Sequence, residues 1–198
     1  MIAPGITLYV IRHGETEHNV ERRLTGQMHS PLTPNGRKQA RRSGEILARL
    51  EPEIARFDFI ASPLERTRQT MELVRAGAGL PAHGYHTDER VKEIDVGTWF
   101  GISMEEARRK MPEHVSAYEA DPWNYARGGK ESFAMVHTRI KGFLETLKRN
   151  SVIVAHFHPL RMFRALALGL TPEETLAWNA PNQGVLRVKA GHAEFFGD

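Results

Sequence analysis

The 198 residues contain no cysteine, which excludes a disulfide framework, a thiolate nucleophile and a cysteine-ligated zinc. Long apolar runs are missing too. Ile6 to Ile11 and Val152 to Ala155 fall far short of the roughly 18 residues that suggest a membrane span, so no membrane partner is expected. The N-terminal stretch MIAPGITLYVIRHG has no basic region ahead of its apolar run and no cleavage signature; it reads as a first strand, and a cytoplasmic location is the expectation. Nor is there a large excess of one charge, since 27 basic against 24 acidic side chains leave a formal +3. The densest basic cluster, Arg37, Lys38, Arg41 and Arg42, shares a helical segment with Ala40, Ile46, Leu47 and Leu50. That pattern is a solvated helix face, so a nucleic-acid partner is not expected. Repeats and low-complexity tracts are absent, and 40% hydrophobic with 26% charged residues is the balance of a globular chain, with one domain over 1–198 as the default.

Strand and helix signals alternate along the chain. Ile6 to Ile11 is a short β-rich run that stops at Arg12, His13 and Gly14. Thr33 offers an N-cap and Pro34 suits a first helical turn, opening a helix to about Leu50. Phe57 to Ala61 gives a second strand, and Ser62 with Pro63 predicts another capped helix carrying Leu64, Met71 and Val74 on one face. From about 76 to 130 the pattern weakens to an expected cap-like insertion, with a capping box at Ser103 and Glu106 as its clearest helix signal. Phe133, Val136, Ile140, Phe143, Leu144 and Leu147 recur at helical spacing and lead into a strand from Ser151 to Ala155. Pro159 restarts a helix to about Leu168, Pro172 begins another, and Gly184 to Ala190 with Ala193 to Phe196 read as terminal strands. The predicted fold class is therefore α/β, a three-layer sandwich with a mainly parallel central sheet flanked by helices.

In open α/β sheets, ligands bind beyond the carboxyl ends of the strands. There the chain places Arg12 and His13, then Ser62 leading to Arg66, then His156. Two guanidinium forks, each matched to a pair of phosphate oxygens and charged at working pH, suit a phosphoryl group without a metal. Gly14 is expected to let the backbone approach this group, and a helix starting near Pro63 to add partial positive charge. His13 is the candidate nucleophile if one ring nitrogen is neutral and aimed at phosphorus, with an acceptor, unidentified from sequence, fixing the other. A departing alkoxide needs a proton. Glu93, with its pKa raised by burial or a neighbouring carboxylate, is the candidate donor, and Asp95 the substitute.

Other readings compete residue by residue. His156 and His158 have the alternate spacing that puts two rings on one strand face and would suit a metal pair, but no further ligand accompanies them, so no metal and no cofactor are expected. Arg66 has Glu65 and Glu72 as alternative partners on its own helix.

The run RHGETEHN from Arg12 to Asn19 resembles the RHGETxxN signature of the histidine phosphatase, or phosphoglycerate-mutase-like, superfamily. GQMHSPLTPNGRKQA resembles its continuation, SPLERTRQT its second arginine motif, VKEIDVGTWFG its acid-bearing segment and VIVAHFHPLR its second-histidine segment, in order from Leu8 to Arg161. The resemblance implies that His13 carries the phosphoryl group, that Arg12, Arg66 and His156 surround it, that Glu93 donates the proton and that Asn19 is a further phosphate contact. Thr25, Gly26, Gly14 and Phe157 complete the expected substrate-binding set. Three departures stand out: Phe157, followed by His158 and Pro159, occupies the position after the second histidine where the family commonly has glycine; His29 stands where aspartate is common; Lys130 interrupts a GGES-like stretch.

The expected activity is metal-independent hydrolysis of small phosphate monoesters, with a small phosphorylated metabolite as partner. A cofactor-dependent phosphoglycerate mutase is the alternative; mutase relatives carry a longer insertion with a basic carboxylate site, for which this compact chain has little room. A binding module without turnover is the reading from another class. Trp99, Phe100, Trp123 and Tyr125 are candidates to cover the pocket or to meet a partner, including a second copy in a homodimer.

Overall fold

The computed structural model describes residues 2–197. Its sheet is built on β1 (Leu8–Arg12), β2 (Asp58–Ala61), β3 (His86–Thr87), β4 (Ser151–Ala155), β5 (Val185–Lys189) and β6 (His192–Phe196), in the order β3-β2-β4-β1-β5-β6. The ladders β3-β2, β2-β4 and β4-β1 are parallel; β1-β5 and β5-β6 are antiparallel. Parallel strands covered on both faces should read as continuous apolar runs, and all five residues of β4 are buried.

Side-chain alternation sorts the strands between two cores. Leu8, Val10, Ile153 and Ala155 point to one face, packed against α6 (Phe133–Thr146) and α7 (Phe157–Leu168) through Phe143, Leu144, Leu160 and Phe163. Tyr9, Ile11, Val152 and Val154 point to the other, packed against α2 (Pro34–Leu50) and α3 (Glu65–Gly77) through Ile46, Leu47, Met71 and Val74. Thr33 caps α2 by accepting from the Gly36 N–H, with Pro34 in the first turn. Arg37, Lys38 and Arg41 are exposed on the outer face of that helix.

Several predicted boundaries are corrected. Ser62 is not the N-cap of α3, which begins at Glu65 after Leu64; Leu64 therefore lies outside the helix and only half-buried. Helix α7 starts at Phe157 rather than Pro159, with His156 as its N-cap. His156 and His158 consequently do not share a strand face, because the strand ends at Ala155. In the 76–130 stretch, the box at Ser103 and Glu106 opens α4 (Met104–Lys110), and α5 (Pro112–Ala120) follows, a helix not separately foreseen. Another unforeseen element is the short α1 (Glu17–Val20), closed by a capping box between Thr16 and Asn19. Trp99 is a core residue and Trp123 and Tyr125 pack on the same core; none of them lines the cavity at the strand ends, and of the four aromatics only Phe100 stays exposed.

Candidate active site

Register assembles the site. Arg12 pairs with Ala155 across β1 and β4, so the next residues, His13 and His156, emerge at one level, with ring centroids 5.2 Å apart. Ala61 pairs with Val154, which brings Ser62 beside His156; Ser62 Oγ lies 2.8 Å from His156 Nε2. Arg66 follows in the first turn of α3. Above these strand ends lies a cavity of about 220 Å³ lined by Arg12, His13, Asn19, Arg66 and Glu93, below the range of roughly 300–1,000 Å³ usual for drug-sized ligands.

The acceptor that sequence left unidentified is the carbonyl of the next residue. His13 Nδ1 lies 2.8 Å from the Gly14 carbonyl oxygen, so Nδ1 carries the hydrogen and Nε2 keeps its lone pair. Burial, then Arg66 and Arg12, hold the His13 pKa well below the ordinary histidine value, so the ring is neutral at pH 7. His156 is fully buried and its pKa is depressed in the same way, first by burial and then by Arg66; its Nδ1 has no hydrogen-bond partner. It lies behind the cavity wall rather than in it.

Both arginines are anchored by backbone carbonyls rather than by carboxylates. Arg12 Nη1 donates to the Ala180 carbonyl at 2.7 Å, and Arg66 donates to Met28 and Gly26 carbonyls at 2.8 and 2.7 Å, not to Glu65 or Glu72. Burial lowers each to about 10, which leaves both cationic at neutral pH. Their Nε atoms are buried without partners. Buried donors without acceptors are costly, and an anion in the cavity would relieve them.

Glu93 differs from its expected resting state. Burial alone would raise its pKa, but His158, His156 and the Ile94 N–H outweigh that and hold it well below the ordinary carboxylate value. Its Oε1 lies 3.0 Å from His158 Nδ1 and accepts from the Ile94 N–H at 2.9 Å. Burial keeps His158 largely neutral, so it serves Glu93 as an N–H donor. Asp95 instead accepts from the Gly97 N–H and does not line the cavity.

Among the other predicted contacts, Asn19, Thr25, Gly26 and Phe157 all line the cavity. Asn19 Oδ1 accepts from the Thr16 N–H, which leaves its NH₂ end as the donor. The Phe157 ring has the Arg12 guanidinium 4.7 Å and that of Arg161 4.1 Å from its centroid, so it seats an arginine as well as forming a wall. Gly14 is corrected: it does not line the cavity, and a Cβ there would meet the Gly36 carbonyl oxygen at 2.1 Å. Its bare backbone serves packing between the β1 exit and α2. Sequence reasoning missed Arg23, Leu24, Ile94, Val96 and Arg127 as lining residues. Ile94 and Val96 were within reach through their nearness to Glu93; nothing along the chain marked Arg127.

Parallel strands that bring Arg12 and His13 to a cavity, with Arg66 in the helix beyond and His156 behind the wall, define an α/β protein with an anion-receiving pocket at its strand ends. The chain belongs to the histidine phosphatase superfamily (branch 1), whose profile it matches over residues 8–196. It is 31% identical over 170 residues to phosphoserine phosphatase 1 of Hydrogenobacter thermophilus, covering 83% of this chain and 77% of that protein. It is 30% identical over 184 residues to 6-phosphofructo-2-kinase/fructose-2,6-bisphosphatase 3 of Homo sapiens, covering 92% of this chain but only 33% of that longer protein. Among solved structures, the alpha-ribazole phosphatase from Shigella flexneri superposes with a TM-score of 0.80 at 26% identity, covering 97% of this chain and 95% of that one. Among the described residues no helix is long and apolar enough to cross a membrane.

Proposed function

We propose that this protein is a hydrolase of small phosphate monoesters that works through a phosphohistidine and needs no metal. The observation that carries the reading is the fixed His13 tautomer: Nδ1–H is tied to the Gly14 carbonyl, so Nε2 is the free lone pair in a cavity shared with Arg12 and Arg66. The phosphatase names of the relatives agree with it. His13 Nε2 attacks phosphorus, the P–O ester bond breaks, and the leaving oxygen takes a proton from Glu93. Water then attacks the phosphohistidine, gives a proton back to Glu93 and releases inorganic phosphate. Arg12, Arg66 and Asn19, which line the cavity, hold the equatorial oxygens, with His156 behind its wall.

Glu93 is ionised in the resting site, so it must be charged with a proton on the way to reaction. The arrival of a dianionic phosphoryl group supplies the cause, because negative charge nearby raises a carboxyl pKa and opposes the His158 and Ile94 hydrogen bonds that depress it. The deciding experiment is hydrolysis of p-nitrophenyl phosphate in excess chelator by wild type and His13→Ala. Wild-type turnover with loss of at least a thousandfold in the variant supports the covalent route; residual activity within tenfold, or loss of wild-type turnover in chelator, overturns it.

A further inference from the structure

We propose that His158 is the positioning residue of Glu93: it holds one carboxyl oxygen, Oε1, as an acceptor, so that the acid proton sits on the other, Oε2, and is aimed at the leaving oxygen. The inference rests on the phosphatase reading and adds to it a residue that acts through the proton donor. His158 belongs to the Phe157-His158-Pro159 departure from the family pattern, which the catalytic core leaves without a purpose. It lies in the first turn of α7, two residues past the His156 N-cap, and lines the cavity beside Glu93. The turn that ends β4 behind the phosphoryl site therefore also delivers a ring to the acid.

His158 Nδ1 lies 3.0 Å from Glu93 Oε1, and the Ile94 N–H donates to the same oxygen at 2.9 Å. An ionised carboxylate only accepts, so Nδ1 is the nitrogen that carries the hydrogen. Among the described residues no other hydrogen bond reaches the carboxylate. Oε2 has no partner and is not among the atoms buried without one, so it opens on the cavity. Two N–H donors crowd a proton off Oε1 and leave Oε2 to carry it. The ring is fixed in place. Its centroid lies 4.9 Å from that of Phe133 and 5.0 Å from that of Phe157, and its side chain is only 15% exposed. Arg12, Arg66, Arg127, Arg161 and His156 also act on Glu93 electrostatically, and Arg139 donates to its backbone carbonyl. Those charges set a background common to both oxygens. The His158 N–H is the side-chain contact that tells one oxygen from the other.

The test compares wild type, His158→Phe, which keeps a ring between Phe133 and Phe157 but loses the N–H, and His158→Asn, whose amide N–H stands in for the ring Nδ1–H. The substrates are propyl phosphate and p-nitrophenyl phosphate. On propyl phosphate, whose alkoxide needs the proton, two changes are expected in His158→Phe. The alkaline limb of the kcat profile moves up by about 1–2 pH units, the size of one lost charge-assisted hydrogen bond. Below that limb, where the carboxyl is protonated in both proteins, kcat falls about tenfold to a hundredfold because the acid is no longer aimed. On p-nitrophenyl phosphate, whose leaving group departs without a proton, kcat stays within about threefold. His158→Asn should bring both propyl phosphate values most of the way back. A merely structural role would lower both esters alike, so equal losses on the two, or an unmoved limb, would overturn the proposal. The tautomer is read without turnover by ¹H–¹⁵N NMR of the histidine rings at pH 7, with the His158 signals assigned by their loss in His158→Asn. Hydrogen on Nδ1, with a signal that shifts in Glu93→Gln, upholds the placement even if wild type hydrolyses neither ester, a result that sinks the phosphatase reading alone. A bare Nδ1, or no response to Glu93→Gln, overturns it.

Discussion

His13 and His156 are the two site histidines whose pKa values lie well below the ordinary value, and this has a consequence for stability. The unfolded chain carries both with a pKa near 6.5, while the folded site keeps them neutral to lower pH. As pH falls below about 6.5 the unfolded state binds protons that the native state refuses, so stability is fully present above that pH and drains away in acid. Between pH 7 and 5.5 each ring costs about 1 kcal/mol, and the pair about 2–3 kcal/mol, as long as both stay neutral in the native state. For a chain of this length that equals roughly 5–10 °C in melting temperature. Urea midpoints at the two pH values, in buffer free of phosphate because a bound anion would shift them, measure it directly. The double variant His13→Gln with His156→Gln should lose about 2–3 kcal/mol less than wild type over this interval. If wild type and double variant lose the same amount, the two rings are not held neutral and the account of the site's electrostatics is wrong.

Three further outcomes follow from the geometry. Gly14→Ala puts a Cβ 2.1 Å from the Gly36 carbonyl oxygen, so it should destabilise by about 1–3 kcal/mol; an unchanged melt would contradict the packing role. Ser103→Ala removes the side chain that accepts from the Glu106 N–H and should cost about 1 kcal/mol, or roughly 2–4 °C, by thermal melting. Glu93→Gln should slow esters with poor leaving groups at least tenfold more than those with good ones; equal slowing across a leaving-group series would assign the proton to another group.

Much of the architecture was readable because local chemistry and packing agree. Thr33 with Pro34 capped α2 as expected, Ser103 with Glu106 boxed α4, and β4 begins and ends where its apolar run does. The misplaced start of α3 has a physical reason: Ser62 spends its hydroxyl on His156 and the Leu64 N–H, so the cap signature was answered by the site rather than by a helix. Short elements escaped notice, since α1 spans 4 residues and β3 only 2, too few for periodicity to register. At the site, strand ends pointed to His13, Arg12, Arg66 and His156 because a parallel sheet converges there. The state of Glu93 was misjudged because its surroundings, His158 above all, come from elsewhere in the chain. Arg127 was invisible for the same reason, since only the fold brings it to the cavity.

The covalent step is tested most directly by rapid-quench labelling with a ³²P-phosphate monoester, followed by mapping of the trapped label. Label that survives base, is lost in acid, maps to His13 and is absent from His13→Ala is the expected outcome. Turnover with no trapped phosphohistidine under conditions where its breakdown is slow, or label on any other residue, would contradict it.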